Sequence, residues 1–553
     1  MRKGEVRMSE NVNTVQETNL NDADVNSTIA NNIVMQPNVT LQLQDDTLYN
    51  KKIKENFHIF GIASLIYACL YAFCMFKNDS GITYLLFVAG GIGYIYYCMD
   101  KIGIQFRKES AFYIVSMILL SVSTFCTDDW RIIFFNKTGV FLLAISMLLS
   151  LMYNTKKWNL GKFLGSIVKS CIMAIFEIAR PVADVVWYCK NKLDKKNSKY
   201  LYVLMGIGIT IPLFVIIFLL LTSADMVFRT MADDMLRGFE FGDIVSIAFM
   251  IGFMFFACYC ILTYLCKNKI KEEVTDSRKW EPLIGIPVAS ILSLLYLVFS
   301  IIQILYLFIG NMQLPEGYTY AEYAREGFFQ LLAVSILNLI MVLIGLYFFK
   351  PSKVLKVVLT VMSLCTFIMI ASSAMRMIIY IQYYYLTFLR IFVLWTLVVL
   401  FLVFVGGIAY IVKGDFPLFR YSMVVVTVLY LGLSFAHPDY WIARVNIAGS
   451  KESRSEFFKG EAYEDFVYLS YLSADAAPAM FEWMDEEGYD FNYYYEDSEY
   501  KGYDKGDVGN NGKHAYRYLR KLDKRIDAIN IRNFNVSRAW VDYDILQRVP
   551  EGM

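Results

Sequence analysis

Residues 391–412 read IFVLWTLVVLFLVFVGGIAYIV, a run without a single charged side chain. A hydrocarbon core about 30 Å thick is crossed by about 20 apolar residues of helix. Irregular backbone and open sheet edges are excluded there, because their peptide groups would lack partners. The run therefore reads as a membrane-spanning helix, extending over about 388–412. The same test places further spans at about 57–76, 82–99, 111–127, 134–153, 201–222, 244–266, 283–310, 328–349, 354–381 and 418–435. The predicted fold class is all-α, a polytopic transmembrane helix bundle of about 11 spans with a small C-terminal helical extracytoplasmic domain.

Composition agrees with this. Hydrophobic residues make up 57% of the chain and charged residues 19%, whereas soluble domains have about 45–50% and about 25%. The net charge of +1 supplies no field that would draw a nucleic acid. The expected partners are the lipid bilayer and an envelope protein bound through the C-terminal domain. No cofactor is expected: the sequence contains no H-E-x-x-H, G-x-x-x-x-G-K-[ST] or C-x-x-C pattern, and its three histidines are scattered.

Three regions follow. Residues 1–50, rich in Asn, Asp, Thr and Gln, form a disordered cytoplasmic tail. Residues 51–436 form the transmembrane domain. Within it the loop 154–200 carries Phe163, Leu164, Ile167, Val168, Cys171, Ile172, Ile175 and Phe176 at helical spacing among lysines. A basic amphipathic helix of that kind lies in the membrane interface in preference to crossing. Residues 437–553 form an extracellular helical domain. Its helices are expected at Tyr463–Leu472, from Ser473 to about Asp485, at about 513–528 with a basic face (Lys513, Arg517, Arg520, Lys521, Lys524 and Arg525), and at about 536–547.

Lys and Arg set the orientation. They gather before the first span, between the second and third, in 154–200, and after the sixth, eighth and tenth spans. These are alternate loops, so they share one side, the cytoplasm. The other loops carry Asp128, Asp129, Asp233, Asp234, Glu240, Asp243, Glu316, Glu322 and Glu326. An odd number of spans then puts the N-terminus inside and the C-terminus outside.

Charges at the ends of spans are costly and mark candidate sites. Asp225 closes the fifth span, Arg325 and Glu326 open the eighth, Arg376 lies inside the ninth, and Arg390 opens the tenth. All five are expected at one depth near the outer surface. Two readings are open: a polar pocket for a ligand, headgroup or ion, and a structural ion-pair network closing the bundle.

Several segments carry a resemblance. Ser223-Ala-Asp-Met-Val-Phe228, Tyr323-Ala-Arg-Glu-Gly-Phe-Phe-Gln-Leu331, Ser373-Ala-Met-Arg-Met377 with Tyr380, and Leu386-Thr-Phe-Leu-Arg390 are four of them. Ile442-Ala-Arg-Val-Asn446 and the stretch Tyr468–Ala479 are the others. Over about 50–550 the chain resembles the bacterial membrane proteins of domain-of-unknown-function families 4153 and 4173. That resemblance implies a multi-span protein of Gram-positive bacteria with an outward C-terminal domain, and it implies no activity. In the third motif Tyr384-Tyr385 stands where the families' pattern has a glycine before Leu-Thr.

The functional expectation is an integral membrane protein of the cell envelope, non-enzymatic, sensing or assembling through its outer domain. The alternatives are a transporter for a small solute or lipid, and a membrane enzyme using Asp225 or Glu326 as acid/base. No cysteine lies beyond Cys365, so the C-terminal region is held without disulfides. Adding a thiol reductant to the purified chain is therefore expected to leave its heat-unfolding profile unchanged. A reductant-induced drop in the transition temperature would contradict this.

Overall fold

The computed structural model describes residues 48–155, 158–192, 210, 213–214, 217–218, 220–236, 241–267, 270, 278–305, 327–453, 462–489, 510–526 and 529–548. Leu48–Glu55 (α1) leads into Phe57–Met75 (α2), Thr83–Ile102 (α3), Ser110–Cys126 (α4) and Trp130–Met152 (α5). Leu160–Ile175 (α6) and Arg180–Lys192 (α7) follow, then Met226–Leu236 (α8) and Phe241–Cys266 (α9). Pro282–Gln303 (α10), Phe328–Phe348 (α11), Lys353–Tyr384 (α12), Phe388–Lys413 (α13) and Leu418–Phe435 (α14) complete the apolar series. The C-terminal part comprises Pro438–Ser453 (α15), Ala462–Leu469 (α16), a 3-10 turn at Ala474–Ala476, Ala477–Glu486 (α17), Asn510–Ile526 (α18) and Val536–Arg548 (α19).

Among the described residues, nine helices are long and apolar enough to cross a membrane, and Ser110–Cys126 is a shorter apolar helix. The chain is thus an all-helical, multi-pass membrane protein. No β-strand occurs among the described residues; the sole pairing there of that kind is an isolated bridge between Trp280 and Phe349. Most of the expected span at 201–222 lies outside the described residues, as do the tail 1–47 and the loop around Glu316 and Glu322. Pro438–Ser453 is a helix that the sequence reading does not predict. Pro438 at its first position and Asp439 in its first turn suit a helix start.

Two apolar clusters organise the bundle. One joins α2–α5, α6, α9 and α14 around residues such as Phe60, Met99, Met117, Leu149, Tyr259 and Phe419. The other joins α10–α13 around Phe328, Val342, Leu359, Met362 and Phe404. Helix α14 links them, lying against α4 and α13. Outward faces are apolar too: Leu283, Ile284, Ile291 and Leu294 on α10 are exposed. Facing water they would be unfavourable; facing hydrocarbon they are at home.

The bundle has two dissimilar ends. At one, Lys52 donates to the Ile102 carbonyl at 2.8 Å, Arg420 meets Glu109 at 3.2 Å, and α6 and α7 lie across the helix ends. Phe163, near the start of α6, packs on Phe419 with ring centroids 4.2 Å apart. Glu177, just past the end of α6, accepts from Lys267 at 2.6 Å. Phe419 and Lys267 belong to the same end of the bundle, so both ends of α6 meet that end. Its outward residues include Leu164, Val168, Ile172 and Ile175.

The other end carries the C-terminal helices, whose own core contains Ile442, Phe466, Trp483, Tyr518, Leu519 and Val541. Among the described residues, three turns there hold non-glycine residues at positive φ, the first being Lys77 (φ +50°) after α2. Tyr385 has φ +59° and ends α12; His437 has φ +48° and joins α14 to α15. Each such residue costs about 1–3 kcal/mol and persists where its surroundings dictate it. At Tyr385 the dictating group is Asn446. Its amide accepts the Leu386 N–H at 2.7 Å and donates to the Leu386 carbonyl at 3.0 Å. The helix break at Tyr384-Tyr385 thus forms without glycine.

Replacing Asn446 by Ala strips both partners from a part-buried peptide unit. Each unmet group costs about 1–3 kcal/mol. Asn446→Ala is therefore expected to lower the unfolding temperature of the detergent-solubilised chain more than Asn446→Asp, which keeps the acceptor. Equal stability of all three proteins would refute the clamp.

Candidate functional site

Of the residues singled out by depth along the spans, Asp225, Arg376 and Arg390 are described. Asp225 precedes α8 and its carboxylate accepts the Phe228 N–H at 2.6 Å, the geometry of an N-cap. Arg390 donates to the carbonyls of Tyr384 and Tyr385, the end of α12, and its guanidinium lies 4.4 Å from the Tyr380 ring centroid. A cation at a helix C-terminus is favourably placed. Arg376 is buried and rests on the backbone of Gly327. There φ is +107°, and a Cβ would sit 2.6 Å from Arg376 Nη1. Arg325 and Glu326 lie outside the described residues. Arg376 and Arg390 share one end of α12, and Asp225 is in contact with neither.

A different polar cluster forms where the C-terminal helices meet the bundle. Helix α4 is short, and the turn that follows it, Thr127-Asp128-Asp129, is fully buried. Asp128 accepts from Arg538 Nε at 2.6 Å and from Arg525. It also accepts the Ala474 N–H at 3.2 Å, while Asp475 accepts the Asp128 N–H at 2.8 Å. The two turns therefore cap each other, each with its own carboxylate on the other's backbone. Asp475 further accepts the Thr127 hydroxyl and faces His437 Nδ1 at 3.2 Å.

Beside it, Asp129 takes Arg131 in a two-point pair at 2.8 and 2.9 Å and accepts the Arg131 N–H, capping α5. Arg131 reaches on to Asp439, which accepts the Ser473 N–H at 2.9 Å. The Arg131 guanidinium also lies 4.1 Å from the Phe388 ring centroid. Tyr518 donates to the Ser473 carbonyl at 2.8 Å. Asn535 donates to the carbonyls of Thr127 and Ser80 at 2.8 and 3.2 Å. Gly81 has no room for a side chain, since a Cβ would lie 2.4 Å from Asn533 Cα. The helices are thus keyed to the turns after α2, α4, α12 and α14.

The side chains of Asp128, Asp129, Asp439 and Asp475 are at most 1% exposed. Burial pushes the Asp129 carboxyl up to about 6, with the neighbouring Asp439 charge adding to it and Arg131 opposing. Burial also raises Asp475, but His437 and the hydroxyls of Ser537 and Thr127 outweigh it and hold that carboxyl below its ordinary range. The hydrogen bond to Asp475 raises the His437 imidazole. Burial lowers the Lys521 ammonium to about 8, and Arg525 adds to that.

The basic face expected at 513–528 divides in two. Lys521 and Arg525 turn inward, Lys521 donating to the Leu472 carbonyl at 2.7 Å. Arg517, Arg520 and Lys524 are exposed. The cluster continues along α5 into the bundle: Asn136 accepts from Tyr430 and Ser434 at 2.8 and 2.7 Å, and Ser123 bonds Ser434. These carboxylates are engaged by guanidinium groups and backbone N–H donors. That is the chemistry of a structural lock, not of an acid or base held ready for a substrate. Sequence spacing does not reveal it, since Asp128 and Arg525 are 397 residues apart. The paired aspartates after an unusually short span are the one local signal.

Residues 114–482, well over half of the chain, match the family model described as Domain of unknown function (DUF4153), and the chain belongs to that family. No curated protein and no solved structure matches it.

Removing one member of a buried pair costs about 3–5 kcal/mol, because the partner charge is left behind. Arg525 is about a third exposed (32%), so water screens part of that loss and the low end of the range applies to Asp128→Asn. Combining it with Arg538→Gln is expected to destabilise by less than the sum of the two single changes. Double-mutant-cycle thermal unfolding in detergent measures this. Strict additivity would show that the two side chains do not interact.

Proposed function

We propose that this DUF4153 chain is a non-enzymatic membrane protein of the cell envelope, a sensor or assembly component. Its C-terminal helices present a partner-binding face at the outer surface of the membrane. The observation that carries this reading is the buried lock of Asp128 with Arg525 and Arg538. It makes the C-terminal helices a fixed extension of the bundle, so a load or ligand on them is felt at α4, α5 and α14. The outward Arg517, Arg520 and Lys524 suit an anionic partner. The orientation is supported by charge: the opposite end carries Lys52, Arg107, Lys108, Lys267, Lys353 and Arg420, and basic loops stay in the cytoplasm.

Transport is the second reading, and one observation favours it. Near the middle of α11 and α12, Asn338 donates to the Thr366 hydroxyl at 3.0 Å, and both are fully buried. The Asn338 carbonyl oxygen has no partner among the described residues. Neighbouring Ser335, Ser363 and Thr366 donate to carbonyls of their own helices at 2.8 Å. That arrangement serves helix packing and weighs toward the first reading.

Reporters fused after Lys195 and after Met553 are expected on opposite sides of the membrane, the first inside. Met553 inside would remove the outer-face reading. Reversing Arg517 and Lys524 to Glu should leave abundance and folding intact and abolish photo-crosslinking to the partner from a probe on α18. Unchanged crosslinking would reassign the binding face.

A further inference from the structure

His437 sits at the single covalent joint between the last apolar helix and the C-terminal helices. Its backbone is in the left-handed region, φ +48°, and Pro438 follows, which fixes the next φ near −65°. Its imidazole Nδ1 lies 3.2 Å from Asp475 Oδ2, and that carboxylate is wholly buried while the imidazole is about one third (36%) exposed. Asp475 is also the group that holds the Asp128 N–H and the Thr127 hydroxyl. One hinge residue thus touches both the turn that locks the C-terminal helices and the solvent from which protons come.

The charges around this pair are unbalanced. From the turn after α4 come Asp128 and Asp129, from α5 Arg131, from α15 Asp439, from the 3-10 turn Asp475, from α18 Lys521 and Arg525, and from α19 Arg538. Four aspartates face three guanidinium groups. Lys521 is directed to carbonyl groups of Tyr471 and Leu472. The fourth positive charge in direct contact with a carboxylate of this set is His437, and only when protonated. We propose that His437 is a proton-operated latch: its imidazolium holds Asp475 and so the C-terminal helices on the bundle end, and losing that proton as the pH rises loosens the joint.

The signs agree. A histidine raised by its partner contributes fully below its ordinary value of about 6.5 and loses that contribution as the pH climbs through the raised value. Asp129, raised to about 6 by burial, opposes docking increasingly as it ionises from about pH 4 upward. Asp475, held low, supports docking above about pH 4. Lys521, lowered to about 8, gives relief only on the alkaline side. The latch therefore holds best in mildly acid solution and weakens as the pH climbs from about 6.5 through the raised value of His437.

The chain has three histidines, His58, His437 and His514, so imidazole-labelled full-length protein in nanodiscs yields three resonances, with His437 assigned through His437→Gln. The wild-type His437 resonance is expected to titrate above pH 6.5, and His514, lowered by burial and Arg517, below it. Heat-unfolding midpoints should fall from pH 6 to pH 8 in the wild type, and by a smaller amount in His437→Gln, which keeps a hydrogen bond without titrating. A His437 titration at or below 6.5 overturns the proposal, and so does a His437→Gln protein with the full wild-type pH dependence. If that variant fails to fold, the wild-type titration still decides. The outcome is independent of which partner the C-terminal helices bind.

Discussion

An ionised carboxylate shut away from water must be met by opposite charge and hydrogen bonds, or it will not stay there. Asp128 is such a group, wholly enclosed in the turn after α4, and it is answered by Arg525, Arg538 and the Ala474 N–H. Much else follows from that requirement. Asp475 must lie beside the turn to cap it, so the 3-10 turn docks there. Asp439 and Asp129 must share Arg131, which fixes the start of α5 against α15. The apolar core of the C-terminal helices, with Trp483 and Phe481 buried, supplies the bulk of the cohesion among those helices. The ionic lock decides where on the bundle they sit.

Two of the three non-glycine residues at positive φ fit the same picture. Tyr385 and His437 both mark places where an apolar helix stops beside the C-terminal helices, the chain returning into α13 after Tyr385 and entering α15 after His437. Neither is a glycine, so both turns carry backbone strain. Each is held by a side chain from the docked part, Asn446 at Leu386 and Asp475 at His437. The segments that carry the family resemblance include both holding residues and the segment that Asn446 clamps.

The spans were legible because membrane thickness imposes a length on apolar runs that needs no knowledge of tertiary contacts. Predicted and observed limits agree closely for 57–76 with Phe57–Met75 and for 418–435 with Leu418–Phe435. Helices α16, α17, α18 and α19 follow the local signals that predicted them, such as Asn535 before Val536. Helix α15 was not legible, since apolar residues lie on more than one face of it: Ile442, Ala443 and Ile447 are buried while Trp441 and Val445 are exposed. The charged cluster was legible least of all. Depth along a span identifies which charges are costly, but not which partner answers them. Asp225 and Arg390 are answered locally, by a helix start and a helix end. Asp128 is answered from the far end of the chain.

That distance sets an order of events. Asp128 and Asp129 leave the ribosome together with the first spans, whereas Arg525 and Arg538 follow 397 and 410 residues later. Throughout synthesis of the intervening helices, the turn after α4 has no guanidinium partner of its own other than Arg131. A chain cut short before α18 leaves Asp128 without Arg525 and Arg538, and the turn stays wet and acidic. Only a chain that extends through Arg525 and Arg538 can close that end, so the contact that fixes the C-terminal helices on the bundle is among the last to form.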